Sequence, residues 1–112
     1  MIDCLFCRIA AGDIPADIVA RTDTVIAFRD IAPKAPVHVL VVPLAHVADV
    51  TEAAAQIPTV LAEMVQIAQR IADAETGGEF RLVFNTGPTA GQSVFHAHGH
   101  VLGGAELTWD DA

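Results

Sequence analysis

The 112-residue sequence predicts an α+β fold: a five-stranded antiparallel sheet with one long and one short helix, residues 1–112 forming a single domain. Three observations carry this reading. The apolar, β-rich segments come largely in succession, as expected of antiparallel strands. One long stretch of 3.6-residue periodicity separates the third strand from the fourth. The length and a hydrophobic content of 53% suit one core, and the chain shows neither repeats nor a linker.

The elements follow in order. Residues 4–11 form a short apolar-periodic segment closed by Gly12, one or two helical turns. After Ile14-Pro15, residues 18–21 and 24–29 read as two strands turning at Thr22-Asp23. Residues 30–36 are a loop punctuated by Pro33 and Pro36. Residues 37–42 make a buried strand ended by Pro43. Residues 58–74 are the main helix, with Ile57, Leu61, Met64, Ile67, Ala68 and Ile71 on one face. Pro58 suits its first turn and Gly77-Gly78 its end. Residues 80–85 are the fourth strand, 86–92 a Gly-rich loop and 95–102 the fifth strand, ended by Gly103-Gly104.

The net charge is −8, and the six basic residues are scattered. A nucleic acid polymer is therefore excluded as a partner, because binding a phosphate backbone needs clustered Lys and Arg. A single nucleotide is a different case, since backbone N–H groups and neutral side chains bind one phosphate locally. No apolar run reaches the length of a membrane span, and Asp3 interrupts any leader-like N-terminus. The expectation is a cytoplasmic protein with no membrane partner.

The most informative stretch is His96-Ala97-His98-Gly99-His100. On a strand, residues two apart share a face, so three imidazoles point the same way at about 7 Å spacing. The opposite face carries Phe95, Ala97, Gly99 and Val101. Like charges at that spacing depress one another's pKa, leaving at least one imidazole neutral near pH 7. A neutral imidazole serves as nucleophile, base or metal ligand. Both a metal site and a histidine used for group transfer fit, and the rest of the chain favours the second.

Other motifs surround this run. The loop from Asn85 through Gly91-Gln92-Ser93 leads into it, offering close backbone approach to a phosphate and a hydroxyl. Cys4-x-x-Cys7 has metal-ligand spacing, against the alternative of two small buried side chains in a reduced compartment. Zinc needs two more ligands, and His46 and His96 are available. Asp30, after Phe28 at a strand end, suits the hydroxyls of a ribose or simply starts a loop. His38 lies within an apolar strand, either as a satisfied core histidine or as a support behind a triplet histidine. Trp109 near the C-terminus is an interface anchor or locally packed.

Together these residues resemble the histidine triad (HIT) family, in its Hint branch of nucleotide phosphoramidases. The similarity runs from Cys4-Leu-Phe-Cys7-Arg-Ile9 through Phe28-Arg-Asp30-Ile31 and His38-Val-Leu-Val-Val-Pro43-Leu-Ala-His46 to Gly91-Gln-Ser-Val-Phe-His96-Ala-His98-Gly-His100-Val-Leu-Gly-Gly104 and Trp109. The resemblance implies a sheet that continues across a homodimer. It implies His98 as nucleophile, His100 and Ser93 as contacts to phosphate and leaving group, and His96 and His38 as supporting histidines. It implies Asp30 as the ribose carboxylate, with Ile31, Leu5, Phe6, Ile9 and Phe28 lining the base pocket. Asn85, Gly91, Gln92 and Ser93 are implied contacts to phosphate and ribose, and Trp109 is implied to reach the partner subunit's site. Zinc-binding members imply structural zinc on Cys4, Cys7, His46 and His96. The sequence departs from the family at Gly99, where a large residue is usual, which is expected to loosen the strand.

The implied reaction is hydrolysis of a purine nucleoside 5′-phosphoramidate through a nucleotidyl-histidine, releasing AMP or GMP and an amine. Backbone N–H groups of residues 91–93 are expected to hold the phosphoryl oxygens, with no divalent ion required for catalysis. The alternatives are a dinucleoside polyphosphate hydrolase or nucleotidyl transferase on the same triad, a regulatory nucleotide-binding dimer without turnover, and a metalloenzyme using the triplet as ligands.

Overall fold

The computed structural model describes residues 4–109; Asp3 lies outside them. The described elements are α1 (Leu5–Ala10), β1 (Ile18–Arg21), β2 (Val25–Arg29), β3 (Val37–Pro43), α2 (Val50–Gln56), α3 (Pro58–Glu75), β4 (Arg81–Val83), a 3-10 turn (Pro88–Ala90) and β5 (Gly99–Gly103). The five strands form one sheet in the order β1-β2-β3-β5-β4, and every neighbouring pair is antiparallel.

The central strand β3 is a nearly continuous apolar run because both faces of the sheet are covered. Val39 and Val41 join Val25, Ala27 and Val101 on one face, under Met64, Ile67, Ala68 and Ile71 of α3. Leu40 and Val42 join Ile26 and Phe28 on the other face, against Cys4, Phe6 and Ile9. By alternation His38 and His100 belong to this second face. His100 sits opposite Leu40 and His38 opposite Leu102, which makes the two histidines diagonal neighbours. A third cluster of Val47, Ala53 and Ala97 takes in Ile57, which therefore does not share the face of the main helix expected of it.

Three sequence expectations are corrected. A third α-helix, α2, occupies a segment given no element. Its start was legible, since Asp49 accepts a hydrogen bond from the Glu52 amide at 2.9 Å as its N-cap. The fourth strand shrinks to Arg81–Val83. Most important, β5 begins only at Gly99, so His96 and His98 precede it.

Pro43 gives the physical reason for the late start. Val41 pairs with Gly99, so a longer ladder would set Pro43 against Ala97. Backbone groups alternate between neighbours along a strand, and the Leu44 amide bonds toward β2 at the Thr24 carbonyl. The N–H that proline lacks is therefore the one β5 needed. Residues 92–98 find other partners. The Ala97 amide donates to the Val47 carbonyl at 2.8 Å, and the Gln92 side chain donates to the Ala48 and Val94 carbonyls at 2.7 and 3.0 Å. Phe95 is left half exposed, so the predicted apolar face of Phe95, Ala97, Gly99 and Val101 does not exist as one surface.

Gly99 does not leave a loose strand. A Cβ built there would lie 2.9 Å from Leu82 Cδ1 and 3.0 and 3.1 Å from the Phe84 ring. Bulk missing from β5 is supplied by the neighbouring segment.

Candidate functional site

A cavity of about 690 Å³ opens on the second face of the sheet. Leu5, Phe6, Ile9, Phe28, Leu40 and Ile31 give it apolar walls, and Asp30, Ser93, His98 and His100 stand at its polar end. A second cavity of about 400 Å³ shares that polar end and adds His38, Asn85 and Gly91. The fold thus gathers residues from α1, β2, β3, β5 and the two loops that follow β2 and β4.

The three imidazoles of the triplet separate into two stations. His98 and His100 stay together, with ring centroids 5.1 Å apart. His96 turns away into the interior and is fully buried. Yet His96 remains tied to His98, because its carbonyl oxygen accepts the Nδ1–H of His98 at 2.8 Å. That bond fixes the tautomer and leaves the Nε2 lone pair of His98 free. The Phe6 ring meets the His98 ring edge-on, centroids 4.9 Å apart and planes at 88°.

Hydrogen bonds set a second tautomer. The Lys34 amide donates to Nδ1 of His38 at 3.1 Å, so the proton of a neutral His38 is on Nε2. That Nε2–H donates to Nδ1 of His100 at 2.9 Å. The proton of His100 is then on its Nε2, which has no partner among the described residues. Asp30 braces the pair, its Oδ2 lying 3.5 Å from His38 Nε2 while its Oδ1 accepts the Ala32 amide at 2.8 Å. Asp30, His38 and His100 are close enough to suggest a metal site. The tautomers argue otherwise, because the His38 nitrogen facing the group already carries a proton.

Burial pulls the pKa of His38, His96 and His98 below the ordinary 6.5, and the Asp30 carboxylate only partly opposes this at His38 and His98. His100 falls furthest, to about 4, from burial and then from the neighbouring His98 and His38. Desolvation, more than mutual repulsion, keeps the set neutral.

The loop before β5 differs from its expected use. The Gly91 and Gln92 amides donate to the Pro88 and Gly87 carbonyls at 3.1 Å each, closing the 3-10 turn. They do not face an incoming phosphate, which removes two of the three expected donors. Ser93 keeps its amide and hydroxyl without partners among the described residues, at the junction of both cavities. Asn85 donates to the Ala90 carbonyl at 2.9 Å and lines the smaller cavity. Gln92 is buried and its amide braces the loop, accepting from the Gly87 amide at 2.9 Å. Trp109 is 91% exposed and lines neither cavity.

Cys4, Cys7, His46 and His96 meet beside α1, their donor atoms all within 4.8 Å of one another. Nδ1 of His96 lies 3.3 Å from Cys4 Sγ, 3.5 Å from Cys7 Sγ and 3.2 Å from His46 Nδ1, and Cys7 Sγ lies 3.4 Å from His46 Nδ1. A tetrahedral zinc ion sets sulfur and nitrogen ligands about 3.5 Å apart and two nitrogens about 3.3 Å apart, so the geometry fits. The chemistry fits too. His96 Nε2–H donates to the Pro43 carbonyl at 2.7 Å, which directs the Nδ1 lone pair into the cluster. Sequence reasoning found these four residues and missed the Pro43 carbonyl and the Lys34 amide, since main-chain partners leave no mark in a sequence.

A family model for the HIT domain matches residues 11–107. The purine nucleoside phosphoramidase of Escherichia coli K12 is 41% identical over 105 residues, covering 92% of this chain and 88% of that protein. Among solved structures, a HIT family hydrolase from Legionella pneumophila superposes with a TM-score of 0.91 at 42% identity, covering 98% of this chain and all of the other. A HIT family hydrolase from Clostridium thermocellum does so with a TM-score of 0.90 at 37% identity, covering 96% of each chain. With the family model spanning residues 11–107 and these similarities covering nearly the whole chain, this chain belongs to the HIT domain family.

Proposed function

We propose that this chain is a nucleotide-binding hydrolase that cleaves purine nucleoside 5′-phosphoramidates, releasing AMP or GMP and an amine. The observation that carries the reading is the His98 tautomer: a half-buried, neutral imidazole with its Nδ1–H on a main-chain carbonyl and its Nε2 lone pair free beside a large apolar cavity. The similarity to a purine nucleoside phosphoramidase supports the choice of bond.

The apolar walls take the purine, and the Asp30 carboxylate takes the ribose hydroxyls. His98 Nε2 attacks the α-phosphorus and the phosphorus–nitrogen bond breaks in line. The Nδ1–H on the His96 carbonyl steadies the positive charge that develops on the ring. His100 Nε2–H donates a hydrogen bond to the departing nitrogen, which takes the proton it needs from solvent and leaves as the amine. In the second half water attacks the phosphorus, the histidine–phosphorus bond breaks, and the water's proton goes back to solvent. Ser93 supplies the loop's remaining amide and its hydroxyl to the phosphoryl oxygens. Cys4, Cys7, His46 and His96 would hold a structural zinc, which supplies cross-linking of the fold rather than a reacting group. The reading keeps a homodimer in which Trp109 reaches the partner subunit's site. No described helix is long and apolar enough to cross a membrane, and the cytoplasm is the proposed location.

The test is release of AMP from adenosine 5′-phosphoramidate by wild type and His98→Ala. Turnover by wild type alone, with a trapped nucleotidyl adduct mapped to His98, is the expected result. Full turnover by His98→Ala refutes the assignment, and preference for a diadenosine polyphosphate moves the reading to that substrate class.

A further inference from the structure

The thiol–imidazole cluster and the reacting histidine share their supports. On α1 the ligand and cavity residues interleave: Cys4 and Cys7 point to the cluster, while Leu5, Phe6 and Ile9 line the large cavity. The helix has only six residues, and Cys4 is also its N-cap, its Sγ accepting the Cys7 amide at 3.4 Å. A helix this short has little stability of its own, so its placement depends on what its ends are fastened to. His96 provides the second link. Its ring belongs to the cluster and its main-chain oxygen holds Nδ1 of His98. Phe6 closes the triangle, with its ring 4.9 Å from that of His98, 6.0 Å from that of His96 and 5.4 Å from that of Phe28.

We infer that the Cys4–Cys7–His46–His96 cluster, when it holds zinc, is a positioning device for His98 and for the apolar wall of the cavity, acting through the His96 main chain and the Phe6 ring. The inference rests on the reading of His98 as the nucleophile. It makes His96 and Phe6 positioning residues, and it assigns zinc a task beyond adding stability. Without the ion, α1 and the His96 ring are joined by weak thiol–imidazole contacts and the Phe6 ring edge. The His98 ring then loses both its fixed acceptor and its edge-on neighbour. Misplacing a reacting group by about 1 Å lowers turnover roughly a hundredfold, so loss of the clamp should appear in kcat as well as in KM.

The experiment uses the full chain, zinc as the metal probe and AMP as the ligand probe. His46→Asn is the informative variant, because His46 is exposed and lines neither cavity. His46→Cys offers a replacement ligand as its control. In zinc-loaded wild type, nitrogen-15 spectra should show a single His98 tautomer with a slowly exchanging Nδ1 proton. In the stripped protein or in His46→Asn that proton should exchange at least tenfold faster, α1 amides should lose protection, AMP affinity should fall about tenfold and kcat should fall ten- to hundredfold. His46→Cys should restore all four. If zinc changes only Tm while the His98 spectrum, AMP affinity and kcat stay constant, the inference is overturned. Should stripping unfold the chain, zinc-loaded wild type and zinc-loaded His46→Asn are compared, and identical His98 spectra overturn it equally. The spectra need no turnover. A protein with zinc-dependent His98 ordering but no phosphoramidate hydrolysis would refute the proposed function and leave this coupling standing.

Discussion

Replacing Gly99 by leucine tests whether the missing bulk of β5 has been relocated to Phe84. Comfortable carbon–carbon contact begins near 3.5 Å, so even the first added carbon, at 2.9–3.1 Å from Leu82 and Phe84, is about 0.5 Å too close. Three further carbons must then enter space already occupied by core side chains. Overpacking of this kind costs about 3 kcal/mol, the upper part of the usual range. For a chain of this size that lowers Tm by roughly 12 °C. Phe84→Ala removes a half-buried ring and should cost about 2 kcal/mol alone. Combined with Gly99→Leu, the new side chain fills the vacated space, so the double variant should lose about 3 kcal/mol rather than the additive ~5. Urea unfolding of all four proteins completes the cycle. Turnover supplies an independent reading, because Gly99 lies between His98 and His100: it should fall in Gly99→Leu and recover in the double variant. Additivity within ~0.5 kcal/mol would refute the reasoning, since it would mean the two sites do not share one volume.

Three further outcomes follow from the geometry. With His100 held at about 4 against 6.5 when unfolded, the unfolded chain binds more protons between those values, so stability is full above pH 6.5 and declines as pH falls toward 4. The loss is ~2 kcal/mol once partial exposure is allowed for, and urea melts at pH 7 and 4.5 should show it in wild type and show less of it in His100→Asn. His38→Phe removes the Nε2–H that holds His100; kcat should fall roughly ten- to hundredfold, and His100 should show a mixture of tautomers by nitrogen-15 NMR. Asp49→Ala deletes the α2 cap and should cost about 1 kcal/mol in chemical denaturation with kcat unchanged.

The sheet, the long helix and the gathering of histidines were legible because alternation and 3.6-residue periodicity leave direct marks in sequence. The start of β5 at Gly99 is hidden from the sequence for an identifiable reason. His96-Ala97-His98 alternates as a strand should, but the residue that stops the ladder, Pro43, lies on the partner strand. Helix α2 is faint in the sequence because Val50–Gln56 has only Ala53 buried, so its signal is a cap and a run of alanines rather than an apolar stripe. The inward bonding of the Gly91 and Gln92 amides is not legible, because glycine-rich composition says nothing about which carbonyls close the turn. Gly99 looked like a deficit because its compensation, Phe84, is fifteen positions earlier in the chain and on a different segment.

Strand β3 sets the separation of the two stations. Its second residue, His38, orients His100, and its last, Pro43, holds the ring of His96 by its carbonyl. Five residues of extended chain fix these anchors about 17 Å apart along the strand. An inserted or deleted residue between them would shift one anchor and also send its side chain to the opposite face. The loops around the cavity are therefore free to vary in length and so to change what is bound, whereas the interval from His38 to Pro43 is not. Variation within this architecture should accumulate around that interval and not inside it.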